Sequence, residues 1–460
     1  MLDALPFVAI DLGLGLLAAR RPWIGLVILL GILPVNGALT QVVPRLLSLS
    51  DPAQIALAAW HDALVAGIAL AALLAFLRSR RYRLDRVEWL VAAMLALGLV
   101  YVVVSPVTFT AFYVYRVLYE PPLLLAAITV LARSSGMPEW VVTRSALAVI
   151  GSSTVSALFA WPQVYLLRFR YLQEFYTDPG QQIHHSFLAH GLNQPRAIGL
   201  LHSPNELGAA LAIAIALLAA PGLLQLRDWV RTWLLGILAM ALLLSFSRSG
   251  WLATLIGVGI VLWLSRAQLP SLAAIGSGIK RPRTLLRVGT PVLVAIVLTI
   301  GVFATSGAAA LVGATATGND PSAGNRPHSV RAGLMVVLDH PLGLGLGTAG
   351  PKAARFDEQQ GSPRILTETW YILYAIQVGL IGFGLLAVTV VTILRRLWRD
   401  RLRPISRVAF GIAFGLGAGA VFIPVLEDPT VFTPLWAISG LALASGAAIA
   451  VARPVADVPA

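Results

Sequence analysis

Long apolar stretches alternate with short polar connectors along almost the whole chain. About 20 mostly apolar residues suffice for a helix to cross a bilayer, and the pattern predicts twelve such crossings. They cover 22–43, 55–77, 87–105, 112–132, 140–166, 204–224, 233–247, 249–265, 289–306, 370–394, 409–425 and 432–452. A further apolar segment, 4–19, is short for a full span and either crosses or dips into the membrane, giving twelve or thirteen. The expected fold is an all-α integral membrane protein, a single polytopic domain over 1–460. Two connectors, 167–203 and 307–369, are long enough to carry structure of their own.

The polar connectors fall into two kinds. Every second one is rich in arginine: Arg78, Arg80, Arg81, Arg83 and Arg86 in the first, Arg266, Lys280, Arg281, Arg283 and Arg287 in the next. A third holds Arg395, Arg396, Arg399, Arg401, Arg403 and Arg407. The other connectors hold six of the seven histidines and more of the acids than the arginine-rich ones do. Positive loops stay on the cytoplasmic side, so both long connectors are expected to be exported and to carry the chemistry. The net charge of +13 then belongs to span ends that meet anionic headgroups, and nucleic acid is not an expected partner. With 58% hydrophobic and 12% charged residues, the charge content is about half that of a soluble domain. The chain has no cysteine, which excludes disulfides and thiolate chemistry. Arg20 and Arg21 follow the first apolar run instead of preceding it, so that run reads as a retained segment and not a cleavable signal.

Within 167–203, Arg168, Phe169, Arg170, Tyr171, Phe175 and Tyr176 form either an interfacial amphipathic helix or a surface that stacks on sugars. His184, His185, His190 and His202 match no helical ligand spacing and no carboxylate motif accompanies them, so neither metal nor cofactor is expected. The 307–369 connector opens with a small-residue stretch from Ser306 to Ala323, expected to be flexible. A helix follows from about Ser329 to Leu338, ended by Asp339, His340 and Pro341. No internal repeat of the kind many transporters carry is visible.

Arg248 lies in Ser245-Phe246-Ser247-Arg248-Ser249-Gly250-Trp251, between two apolar spans with almost no loop. An arginine so close to a bilayer either snorkels to headgroups or faces a wet cavity, where its planar guanidinium grips a phosphate with two bonds. Arg196 precedes His202-Ser203-Pro204-Asn205-Glu206, in which Ser203, Pro204 and Glu206 read as a helix cap. Arg331 follows His328 and Ser329 at a helix start, a place that favours anions. These three arginines project to one side of the membrane and together suit a pyrophosphate. Glu368 sits at the outer mouth of the next span, as a cap or as a general base for a sugar hydroxyl. Arg116 and Glu120 stand four apart on one helical face and are expected to neutralise each other. Gly343-Leu344-Gly345-Leu346-Gly347 reads as a tight turn near the site, and Asp11 has no evident role.

Several of these segments together resemble the O-antigen ligases and related polymerases. Arg196 with Gly199 and Pro204-Asn205-Glu206-Leu207 is similar to their "R-x-x-G…P-N" segment, and Ser247-Arg248-Ser249-Gly250 to "S-R-[GS]". Arg331 with His340-Pro341-Leu342-Gly343-Leu344-Gly345 resembles "P-x-G-x-G" of the large periplasmic loop. Tyr371 and Gly379-Leu380-Ile381-Gly382 resemble the "E-x-G-L-x-G" that follows, with Gln377 where an acid is usual. The likeness covers about 190–385. It implies a metal-independent, inverting glycosyltransferase with a glycan donor on undecaprenyl diphosphate and a glycan or glycolipid acceptor, working among membrane lipids. Arg196, Arg248 and Arg331 would neutralise the leaving diphosphate, Glu368 would serve the acceptor, and Asn205, His328, His340 and Tyr371 would line the substrate. Ligases usually carry His-Asn where this chain has Glu368-Thr369, which favours polymerisation of repeat units over ligation to lipid A core. A polysaccharide transporter is the alternative from another class.

Overall fold

The structure, a computed structural model, describes residues 2–79, 82–177, 181–189, 194–266, 326–351, 367 and 369–452. It is built of helices: α1 (Leu5–Arg20), α2 (Pro22–Ile32), α3 (Val43–Leu46), α4 (Asp51–Ala58), α5 (Trp60–Arg78), α6 (Arg86–Val103), α7 (Thr108–Ser135) and α8 (Trp140–Pro162). There follow α9 (Arg168–Phe175), α10 (Pro204–Ala219), α11 (Asp228–Leu244), α12 (Arg248–Ser265), α13 (Arg326–Asp339), α14 (Trp370–Arg399), α15 (Pro404–Gly419) and α16 (Pro429–Ala452). No strand occurs among the described residues; one isolated bridge joins Leu188 and Pro195. The chain is thus an all-α, multi-pass membrane protein, as the apolar pattern predicts. Six of these helices are individually long and apolar enough to cross a membrane, namely α5, α6, α7, α8 with its continuation to Phe175, α12 and α14. The pair Pro22–Val35 and Ala38–Leu46, bent by 66°, makes a seventh if taken as one span, and α10 and α15 are shorter apolar helices. The expected crossing at 289–306 and the small-residue stretch at 306–323 lie outside the described residues.

Segment 4–19 forms a 16-residue helix laid along α5. Glycine permits the approach: a Cβ on Gly67 would lie 2.3 Å from the Gly15 carbonyl oxygen. In an interior where lipid is as apolar as leucine, small residues that admit close backbone packing hold helices together. The same device recurs at α12, where a Cβ on Gly415 would meet the Ala253 carbonyl oxygen at 2.3 Å and one on Gly250 would meet the Gly208 Cα at 2.7 Å. So α12 is wedged between α10 and α15.

The arginine-rich ends of three helices are tied by ions. Asp85 caps α6, accepting from the Val87 and Glu88 backbone N–H, while Glu88 Oε2 accepts from the Asp85 N–H. Arg396 of α14 reaches Asp85 at 2.6 Å, and Arg133 of α7 reaches Glu88 at 2.9 Å. Burial alone would raise the Asp85 carboxyl, but Arg396, the Glu88 N–H and Arg133 outweigh it and hold the group below its usual range. A lowered folded pKa gives stability that is complete above the unfolded value of about 3.9 and is lost as pH falls through the folded value. Asn also caps helices, so Asp85→Asn isolates the charge. Its thermal midpoint is expected below wild type at pH 7, with the gap closing below about pH 4; a gap independent of pH would contradict the ionic role.

Helix α14 is broken at Gly379, where φ is +63° and ψ −175°. The break frees carbonyls that would otherwise bond within the helix, and the glycine-rich segment after α13 takes them. Leu344 N–H donates to Ile376 O at 2.8 Å and Gly345 N–H to Gln377 O at 3.0 Å. The Gly347 N–H reaches the Gln377 side-chain oxygen at 2.8 Å. From α6 and its C-terminal end, Tyr101 OH donates to Leu342 O and Ser105 Oγ to Leu346 O. The tight turn expected at 343–347 is thus part of an irregular insert, with positive φ at Gly343, Gly345 and Gly347, that completes a broken helix, which is how irregular backbone is tolerated in a membrane protein. Gln377 is 1% exposed, so Gln377→Leu leaves the Gly347 N–H without a partner. That is expected to cost about 1–3 kcal/mol, visible as a lower unfolding midpoint in detergent; an unchanged midpoint would exclude the role.

Candidate functional site

Arg196 lies in an irregular segment fastened at several points. Its backbone N–H donates to Phe187 O, the Ala197 N–H to Leu244 O, and the Ile198 and Gly199 N–H groups both to Gln163 Oε1. The guanidinium is held almost wholly by carbonyls: Nε to Ser245 O at 2.9 Å, Nη1 to Ser186 O at 2.8 Å and Nη2 to Phe246 O at 3.3 Å. The second Nη2 bond goes to Asn205 Oδ1 at 3.0 Å. No acid among the described residues forms an ion pair with it. Burial, and after it the Arg248 charge, push its pKa down to about 10.

Arg248 opens α12. The turn before it is sharp, with Phe246 at φ +49°, and Ser247 caps the helix by accepting the Gly250 N–H at 3.2 Å. Ser247 also donates to Asn205 Oδ1 at 3.2 Å. Asn205 thereby joins the Arg196 guanidinium to the cap of the helix that Arg248 begins. Two positive groups are brought near each other at a helix N-terminus, whose unbonded N–H groups add further positive potential. Like charges so placed repel, and a helix start is a place that favours anions, carboxylate, sulfate or phosphate alike.

Of the remaining candidates, Tyr371 is brought to the same end of the bundle. Gly419 at the end of α15 lies against the Ser249 carbonyl, the Trp370 N–H donates to Ala420 O, and Thr369 Oγ1 donates to Val421 O. Tyr371 donates to Gly417 O at 2.8 Å. Helix α13 packs on the first turns of α14, with Gly333 against Ile372 and Thr367. Arg331 and His328 are exposed on α13, and His340 is exposed just beyond it. Below Tyr371 an apolar cavity of ≈ 290 Å³ runs between α14, α15 and α16, lined by Trp370, Phe383, Leu394, Phe432 and Trp436 among others.

Glu368 and His190 lie outside the described residues. His184 Nδ1 is 2.8 Å from Ser186 Oγ. The 169–176 run forms α9, whose Tyr171 and Leu172 are buried, so part of the aromatic run is core. Ser203 caps α10 as expected, but the Glu206 carboxylate reaches further, to His202 Nδ1 and Thr430 Oγ1, each at 3.1 Å. The expected pairing of Arg116 with Glu120 is corrected: Arg116 donates to Asp62 at 2.6 Å, and His61 lies 3.7 Å from Glu120. Helical spacing placed the two on one face, but a neighbouring helix supplies the nearer acid. His61 and Asp62 gave no sequence signal, because an adjacent His-Asp pair has no characteristic spacing.

Residues 233–387 match the family model described as O-antigen ligase. This stretch runs from α11 into α14 and includes Arg248, His328, Arg331, His340 and Tyr371, whereas Arg196 and Asn205 precede it. No curated protein matches the chain.

Proposed function

We propose that this chain, a member of the O-antigen ligase superfamily and so a membrane enzyme that handles glycans, polymerises lipid-linked repeat units at the outer face of the bacterial cytoplasmic membrane. The observation that carries the reading is the pair Arg196–Arg248, joined through Asn205 and held at a helix start, with no acid among the described residues paired to Arg196. The donor is a glycan on undecaprenyl diphosphate. Its diphosphate lies against Arg196 and Arg248, with Arg331 approaching from α13. Its prenyl chain enters the cavity below Tyr371, whose lining, Trp370 and Phe432 included, is predominantly apolar.

The acceptor hydroxyl attacks the anomeric carbon from the face opposite the diphosphate. A carbon–oxygen bond forms as the bond to the diphosphate breaks, and the configuration inverts. Negative charge develops on the departing diphosphate, and fixed cations aimed there lower the barrier. Glu368 takes the proton of the acceptor hydroxyl. Asn205 sets Arg196 against the α12 cap, while His328, His340 and Tyr371 border the glycan. No step requires a metal ion.

The test uses purified protein in lipid with an undecaprenyl-diphosphate-linked repeat unit and no added metal, products being resolved on a gel. A ladder of multiples supports the polymerase. Transfer only after a lipid A core acceptor is added makes it a ligase, and silence with both acceptors overturns glycosyl transfer.

A further inference from the structure

Away from the arginines, His61, Asp62 and Glu120 come together where α5, α7 and α1 meet. His61 is the informative member. Its side chain is 10% exposed, and its Nδ1 lies 3.2 Å from the Ala58 carbonyl oxygen, which can only accept. A proton is thus assigned to Nδ1, and Nε2 is the ring nitrogen that faces the cluster. Nε2 stands 2.8 Å from Asp62 Oδ1 and 3.7 Å from Glu120 Oε2, and the three donor atoms all lie within 4.8 Å of one another.

Asp62 Oδ1 is buried without a hydrogen-bond partner, which leaves a place for a positive species among the three groups. Arg116 is not that species, since it binds the other oxygen of Asp62, Oδ2, at 2.6 Å, with its guanidinium over the Tyr113 ring. Asp11 of α1 adds a third carboxyl group within electrostatic reach. Three carboxyl groups and one imidazole thus face one guanidinium in a largely buried place, where uncompensated charge is costly.

We infer that His61 Nε2, Asp62 Oδ1 and Glu120 Oε2 bind a divalent transition-metal ion, zinc or manganese by their nitrogen and oxygen chemistry. Ligand atoms around tetrahedral zinc lie about 3.3 Å apart, given bonds near 2 Å, and 2.8 and 3.7 Å bracket that spacing. A backbone carbonyl fixing the second ring nitrogen is the usual support for a metal-bound histidine, and Arg116 plays the same part for Asp62. Of the histidines from which no metal site is expected, His184 and His202 are not among these ligands. The ion ties α5 to α7, two helices that carry none of the proposed diphosphate ligands, so glycosyl transfer continues without it.

The experiment strips the full-length protein with chelator, reloads it with zinc chloride, removes excess by gel filtration and measures bound metal by mass spectrometry. About one zinc per chain is expected in wild type and at least five-fold less in His61→Asn and Glu120→Gln. Equal content in wild type and variants, or none in wild type, overturns the site. Wild type loaded with cobalt chloride guards against misfolded variants: visible ligand-field bands of a four-coordinate nitrogen–oxygen site are expected, and their absence overturns the assignment. Both readouts are independent of transfer, so they stand apart from the proposed reaction.

Discussion

Arg248→Ala is expected to lower glycan transfer by on the order of 10²–10³-fold, the loss typical when one fixed donor to a developing anion is removed. The protein should stay folded. Arg248 begins α12 and is only partly buried, and the seating of that helix depends on Ser247, Gly250 and the glycine contacts with α10 and α15. Arg248→Lys keeps the charge but not the planar two-bond grip, and should recover only part of the rate. Arg196→Ala is the instructive contrast. It releases three backbone carbonyls and the Asn205 side chain at once, so it should lower the unfolding midpoint as well as activity. Rates from purified protein, with gel filtration as the control for folding, decide the matter. Wild-type rates in Arg248→Ala would remove the diphosphate role from this turn.

Gly379→Ala should have the largest effect on the fold. The φ and ψ of this residue lie in a region open essentially to glycine alone, and a side chain there costs about 1–3 kcal/mol before any contact is considered. A Cβ would then lie 2.3 Å from the Leu342 carbonyl carbon and 2.6 Å from Pro341 O. These are backbone atoms that cannot rotate away. The variant must give up either the break in α14 or the 341–347 insert, and with it the seat of α13. Loss of most folded protein from membranes is the expected result. Gly384→Ala in the same helix is the control, since nothing lies within 4 Å of its Cβ. Equal yields for the two would show that the insert is not needed for folding.

The helices were legible because apolar length alone sets where a chain can cross a bilayer, and the Ser203 and Ser247 caps because capping is local. The arginines were found for a similar reason: a charge beside apolar sequence is conspicuous without its partners. What escaped depends on distance along the chain. Nothing near Gly343 announces that Ile376 and Gln377 will accept its neighbours' N–H groups, and a glycine inside an apolar run does not reveal a break. Arg196 reads as a ligand-seeking cation, yet four of its bonds are made to groups 9–50 residues away. Arg116 was matched to its helical neighbour because periodicity sees one helix at a time, whereas Asp62 is 54 residues distant.

The manner in which Arg196 is fastened sets how the site responds to its surroundings. A guanidinium matched by carboxylates would change its electrical company as those acids took up protons. Carbonyl dipoles and an amide have no proton to gain, so the company that Arg196 keeps does not change its charge across the acid range. Ionic strength, too, tunes this part of the anion's hold only weakly. Dissolved salt weakens an exposed pair of charges more than a sheltered one, and the shelter here is the fold's own backbone.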